Sequence, residues 1–445
     1  MEVVIASSPV DAGIGCWDLH SGAEQLRYRS CTSTPHGLAC VGQRFLVSSQ
    51  LRDSSSSSGT ILYWSWNKPQ VEVKSFPAEP IHPLISNSDG TYIIGGGSSG
   101  AIYFWEVASG RLLKRWHAHY RAATCLFLSD DESLLVSGAE DGCIRVWSLF
   151  MVFDDIGMEM AKHPYEYSFS EHTLRVTDVV SGYGGCNAII VSASEDRTCK
   201  VWSLSRGKLL RSIDFPSIID AVALDPGEHV FYAGARDGKI YIAALNAEST
   251  PSNIYGKHII GSLSDNSKGV TCLAFSMDGI LLVSGSEDGT IRVWDAKTRN
   301  IVRIFRLAKG PINNVLVVRR PLYSNFQTSA NSHASLSRRH VPLLPPPLSK
   351  YVNSTDEIVD SGAITVPQTP SSDIMDAPYL SSHVLTKQIS ELQQQSSAAT
   401  GMEVDRLKLD CKRSLEMVQK WKEMFADLHK FCVDELLGND QTQTQ

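Results

Sequence analysis

The chain has 445 residues, 42% hydrophobic and 20% charged, with 41 Lys and Arg against 48 Asp and Glu for a formal charge of −7. That balance can bury a large core and exerts no global pull toward nucleic acid or anionic membrane, so direct DNA binding is not expected. The first residues lack a basic stretch followed by a long apolar run, and no uninterrupted apolar stretch approaches the ~18 residues of a membrane span; neither a secretory leader nor a membrane crossing is expected.

Over residues 1–320 a short apolar strand repeatedly ends in or near an aromatic. These aromatics are Trp17, Trp64, Trp105, Trp147, Trp202, a degenerate position near Tyr241, and Trp294. Their spacing of roughly 40 to 55 residues leaves each copy room for about four short strands. The first copy opens directly on a second strand at 2–6, followed by strands at 14–19 and 25–29, with no inner strand before them. The clearest copies read SGAEDGCIRVWS at 137–148, SASEDRTCKVWS at 192–203 and SGSEDGTIRVWD at 284–295. In the last copy the strands are expected at 270–275, 280–285, 290–295 and 300–306. Within IRVW, Ile291 and Val293 face one way and Arg292 and Trp294 the other, and the Glu-Asp-Gly turns tolerate left-handed backbone. After the last copy, the apolar run 311–318 has the inner-strand pattern. Placed inside the first copy, it closes a ring and removes an exposed sheet edge.

One connection is longer than its counterparts. Residues 148–173 carry Phe150, Met151, Phe153, Met158 and Met160. Apolar residues on such an insertion read equally as a partner anchor or as a short helix folded on the rim.

Beyond the repeats, 321–382 is rich in Ser, Pro, Asn and Thr without periodicity and reads as a linker. Its apolar-proline stretch 341–351 is the part most suited to docking, either elsewhere or back on the chain's own repeats. From 383 to 438 a helical association segment is expected. Thr400 and Glu403 have capping-box spacing, Gly438 is placed to end the helix, and Val418, Trp421, Phe425 and Leu428 lie on one heptad stripe. Such a face must be buried, either in a coiled coil with a second copy or a different subunit, which is the reading favoured, or against the chain's own repeats.

No reacting group or cofactor site stands out. The ten cysteines are scattered, with no CxxC pair, which predicts buried reduced thiols and no metal. The runs Ser54 to Ser58 and Gly95 to Gly97 lack the lysine motif of a phosphate cradle. Asp130, Asp131 and Glu132, like Asp154 and Asp155, read as solvated turn carboxylates. No enzyme and no cofactor are expected.

The repeat words resemble the WD-repeat family over residues 1–320. The resemblance implies an all-β, seven-bladed WD40 β-propeller, here followed by the linker and an α-helical coiled-coil segment. It also implies that a serine, a turn aspartate, a tryptophan and an upstream histidine hydrogen-bond inside each blade. The matching residues are Ser137, Asp141 and Trp147 with His117 or His119; Ser192, Asp196, Trp202 and His172; and Ser284, Asp288 and Trp294 with no histidine in place. The first, second and sixth copies are weak.

The opening EVVIASSPVDAGIGCWDLHSGAEQLRYRSC and the stretch from GGGSSGAIYFWEV at Gly95 through IRVWSL are more specific. They resemble plant members of a family that includes the WD-repeat subunit of the Rix-type complex acting on pre-60S ribosomal particles. That resemblance implies a non-enzymatic scaffold of the nucleus, in nucleolus and nucleoplasm, that acts in rRNA processing. Its implied partners are a helical-repeat scaffold subunit, a Midasin-type ATPase and the pre-60S particle, and in plants it implies support of meristem and organ development. A homodimer through the C-terminal helix is a further expectation. The alternative is a substrate receptor of a cullin-type ubiquitin ligase, resting on the word Trp294-Asp295-Ala296-Lys297.

Overall fold

The computed structural model describes residues 2–10, 13–42, 44–51, 58–153, 165–245, 258–307, 310–320 and 344–352. The chain divides into two units, Met1–Glu357 and Ile358–Gln445, and all described residues lie in the first. Among them, seven four-stranded antiparallel sheets form the blades of a propeller.

Blade one joins Asn314–Arg319, as inner strand, to Glu2–Ser7, Ile14–Asp18 and Glu24–Tyr28. Blade two runs Ser33–Val41, Phe45–Leu51, Gly59–Ser65 and Val73–Ser75. Blade three runs Ile81–Ser86, Tyr92–Gly97, Ala101–Glu106 and Leu112–His117. Blade four comprises Ala123–Leu128, Leu134–Ala139, Ile144–Ser148 and Tyr167–Phe169; blade five, Val176–Ser181, Ile189–Ser194, Thr198–Ser203 and Lys208–Asp214. Blade six comprises Ile219–Leu224, Val230–Ala235, Ile240–Ala244 and Ile259–Leu263; blade seven, Val270–Phe275, Leu281–Ser286, Thr290–Asp295 and Ile301–Arg306. Each inner strand touches the inner strands of the two neighbouring blades, including blade one against blades two and seven, so the seven close into a ring.

Blade one is assembled from both ends of the ring. Val4 pairs with Val317 and Ile5 with Leu316, so the late strand supplies the partner that the first copy lacks. Backbone groups that would form a sheet edge are thereby paired.

Third strands are buried on both faces because blades stack on either side, and Ile14–Asp18 and Ile240–Ala244 are buried throughout. Outer strands alternate: Ile301–Arg306 buries Phe305 and exposes its neighbours. Apolar layers between blades make up the core. Trp17 of blade one stacks on Phe305 of blade seven at 5.5 Å, and Trp202 stacks on Phe169 of blade four at 4.4 Å.

The fold class is corrected to that of the propeller alone. Among the described residues the longest helix is α1 (Leu149–Phe153), far short of a coiled coil. Heptad spacing alone does not make a helix, because an isolated helix draws most of its stability from a packing partner. The stretch 383–438, with Val418, Trp421, Phe425 and Leu428, lies outside the described residues.

Candidate functional site

The sequence-marked blade residues are brought together in blades four and five. In blade five, His172 Nδ1 lies 2.9 Å from Asp196 Oδ2, its Nε2 lies 2.8 Å from Ser192 Oγ, and Trp202 Nε1 donates to the same hydroxyl at 2.9 Å. Blade four repeats the set with His119: its Nε2 is 2.7 Å from Ser137 Oγ, to which Trp147 Nε1 donates at 2.9 Å. There the imidazole stands farther from its aspartate, with Nδ1 at 3.5 Å from Asp141 Oδ2. His117 ends the outer strand of blade three instead. Burial lowers the pKa of both His119 and His172, outweighing the aspartates that pull it up. Burial also pushes the Asp141 carboxyl up, but His119 and the Cys143 and Tyr120 N–H groups overcome it and hold the group at about 2. These bonds join strand to turn and point into the blade.

Other blades reach the same end with different residues. In blade seven Trp294 Nε1 donates to Ser284 Oγ at 2.8 Å, and the buried Arg292 supplies the polar contacts that a histidine makes in blades four and five. Its guanidinium donates to Asn266 Oδ1 at 2.7 Å and to Asp288 Oδ2 at 3.2 Å. Ser267 Oγ also donates to Asp288 at 2.9 Å. Against burial, the Thr290 and Ser267 bonds and the Arg292 charge bring Asp288 to about 2. Asn266 stands at the same offset from Asp288 as His119 from Asp141, the one sequence signal that could have marked it.

In blade six the tryptophan position belongs to Ala243. The register shift that precedes Trp202 and Trp294 falls there between Ile242 and Ala243, and Tyr241 instead reaches Asp237 Oδ2 through its hydroxyl at 2.6 Å. In blade three Gly95 occupies the serine position opposite Tyr103. Glu79, before the inner strand, accepts from Ser99 Oγ, the Ser99 N–H and the Tyr103 hydroxyl, each at 2.7 Å. Neither Glu79 nor Asn266 has the residue type that the repeat pattern asks for.

Among the described residues the polar groups at the axis are engaged in structural bonds. His36, from blade two, reaches across to blade five, its Nε2 3.1 Å from the Thr177 carbonyl and 3.9 Å from Asp178 Oδ1. Asp178 is committed to structure, accepting the Val222 and Val179 N–H groups at 2.8 Å each, and burial raises its pKa. Buried thiols such as Cys125 and Cys272 are likewise pushed up to about 12 by burial, away from nucleophilic thiolate. Among the described residues no His, Cys, Asp and Glu group is placed to hold a metal.

The described apolar residues of the long connection lie on the rim. Helix α1 buries Val152 against the layer that holds Trp116 and Trp147. Phe153 packs edge-on to Phe104 at 4.9 Å, while Phe150 is 79% exposed and Met151 and Phe153 are exposed less. Phe150 and Phe153 border an open cleft of about 670 Å³ whose other walls include Tyr92, Ile94, Leu113 and Leu128. Met158 and Met160 lie outside the described residues.

A family model for the WD domain, G-beta repeat, matches residues 110–148, 164–203 and 257–295, which cover the outer strands of blades three and six, all the strands of blade four and the first three strands of blades five and seven. The chain is 54% identical to Protein ROOT INITIATION DEFECTIVE 3 of Arabidopsis thaliana, over 98% of each chain. It is 33% identical to WD repeat-containing protein 18 of Homo sapiens over 74% of this chain and 76% of that protein. To Pre-rRNA-processing protein IPI3 of Yarrowia lipolytica it is 29% identical, over 68% and 72%. Seven four-stranded blades, closed by a strand from beyond the last repeat and matched along nearly the whole sequence, place this chain in the WD-repeat family of ROOT INITIATION DEFECTIVE 3 and WD repeat-containing protein 18.

Proposed function

We infer that this chain is a non-enzymatic WD-repeat scaffold of pre-rRNA processing and large-ribosomal-subunit maturation, acting in the nucleus. The observation that carries this reading is the match over 98% of the chain to a member of a family whose fungal relatives are named for pre-rRNA processing. The finer assignments rest on family resemblance: enrichment in the nucleolus, a helical-repeat scaffold subunit and a Midasin-type ATPase as partners, and, in plants, support of meristem and organ development. The ring suits the task physically. It is a closed ring whose polar sets point inward, and Phe150 stands exposed on a long connection, where apolar surface is left for a partner. We assign a protein contact to Phe150, Met151 and Phe153 on α1.

The receptor alternative draws on Trp294 to Lys297. Trp294 is buried in blade seven, and Asp295 Oδ1 accepts the Lys297 and Thr298 N–H groups at 2.8 and 3.1 Å, so that word serves the hairpin.

Purification of the tagged full chain tests the reading. Recovery of pre-60S proteins with an AAA-type ATPase is expected, and a stoichiometric cullin adaptor in their place overturns it. The Phe150→Asp variant should keep the melting temperature of the parent while recovering less of the particle.

A further inference from the structure

Residues 344–352, beyond the ring and in a stretch whose composition reads as linker, lie on the outer part of blade three, beside the outer strand of blade two. Pro345 and Leu348 are buried and the residues between them are not, a threefold spacing that matches extended polyproline geometry. Leu348 enters the apolar layer of Tyr103, Trp105, Val107 and Leu112. Three hydrogen bonds align the segment: the Leu348 N–H donates to Ser75 Oγ at 2.9 Å, the Ser349 N–H to the Gly110 carbonyl at 2.7 Å, and Trp105 Nε1 to the Ser349 carbonyl at 2.9 Å.

The receiving surface is shaped for this backbone. Gly110 has φ +70°, and a Cβ there would stand 2.5 Å from the Pro347 carbonyl oxygen. Trp105 occupies the position whose indole in blades four, five and seven donates to a serine of its own blade, but blade three has Gly95 in place of that serine. A buried indole N–H without an acceptor is destabilising, because it gives up its bond to water and gains none. The Ser349 carbonyl is the acceptor it finds.

We propose that the outer part of blade three is a docking groove for a proline-rich peptide of the form Pro-x-x-Leu-Ser, and that this chain's own segment 345–349 is its resident ligand. Trp105 and Tyr103, stacked at 5.3 Å, form the aromatic floor, as in grooves that recognise polyproline segments. The anchors are the Leu348 side chain and the Ser349 carbonyl. Chain from beyond the ring thus completes blade three, and the folding unit of the propeller runs to 352.

The test uses the full-length chain. A labelled peptide of residues 344–352 is titrated into the wild type and into Leu348→Asp, whose own segment is displaced. Tighter binding by the variant, about tenfold or more, is expected, together with no binding of a peptide carrying the same Leu348→Asp change. With ¹⁵N-labelled tryptophan, the Trp105 indole N–H resonance, assigned by Trp105→Phe, should move in the variant and return on addition of peptide. Failure of the peptide to bind a folded variant at about 1 mM, or equal binding to the wild type, overturns the proposal. Sedimentation guards the assignment to one chain: a wild-type dimer that the variant converts to monomer would place the segment in the groove of a second copy and overturn residence in cis. If Leu348→Asp does not fold, Leu348→Ala is read in the same way.

Discussion

Asn314 Nδ2 donates to the Thr34 carbonyl at 2.8 Å, binding the last strand of the ring to the first strand of blade two. The same amide reaches Ser33 Oγ at 3.0 Å and Ser7 Oγ at 3.1 Å, while Asn313 Nδ2 donates to the Ser33 carbonyl at 2.6 Å. Two adjacent asparagines therefore latch blade one against blade two, with late chain on one side of the seam and early chain on the other.

Replacing Asn314 by Leu removes the donor from three buried acceptors, and a loss of about 1–3 kcal/mol is expected in urea denaturation. Chains ending at 307, 320 and 352 should rank in increasing stability. The first lacks the strand that pairs with Glu2–Ser7, and the second lacks the residues on blade three. Equal midpoints for the first two would remove the closing strand from the account of stability.

Stability should fall in two stages on acidification. Burial lowers the folded pKa of His119 and His172 below the ordinary 6.5, so the unfolded chain takes up protons that the folded chain refuses. The stability they contribute is complete above pH 6.5 and is lost as pH falls below it. Asp141 and Asp288 are held at about 2 against an ordinary 3.8, so their contribution persists above 3.8 and disappears as pH drops from there toward 2. Urea midpoints measured from pH 8 to pH 2 should show both stages, and His172→Gln should shrink the first.

Restoring the repeat pattern in blade three should harm it. A Cβ on Gly95 would lie 2.7 Å from Ile81 Cγ2 and 3.1 Å from Trp105 Cζ3. Gly95→Ser is expected to lose about 1–3 kcal/mol through overpacking of a full layer, although it supplies the hydroxyl that other blades use. Calorimetric melting decides it, and a rise in melting temperature would show that the layer can open.

Arg292 should be the most sensitive polar residue of blade seven. Arg292→Met leaves Asp288 and Asn266 without their shared buried cation, at a cost of about 3 kcal/mol or more. Arg292→Lys keeps the charge but loses the fork that spans both acceptors, and should fall between the two in chemical denaturation.

The number of blades, their order and the strand positions of blade seven could be read from residue pattern, because two-residue alternation and Glu-Asp-Gly turns are local properties of the chain. The ring was legible for the same reason: an inner strand is missing before Glu2–Ser7 and a spare one follows the last repeat. Inside the blades, Ser192, Asp196, Trp202 and His172 were legible because each keeps the residue type that its bonds require. The degenerate sixth position, near Tyr241 in the sequence, is Ala243 in the structure, because the register shift that marks the position falls between Ile242 and Ala243.

What the tertiary structure alone decided is how the irregular copies are completed. Glu79 ties the turn of blade three to Tyr103, Arg292 and Asn266 replace a histidine in blade seven, and the carbonyl of Ser349 stands in for a serine on Gly95. A buried donor or acceptor demands a partner without specifying its residue type, nor where in the chain it comes from. Any side chain or carbonyl that folding carries within about 3 Å meets the demand. Trp105 and Ser349 are far apart in sequence, and their meeting follows from the closed ring and the path of the chain beyond it.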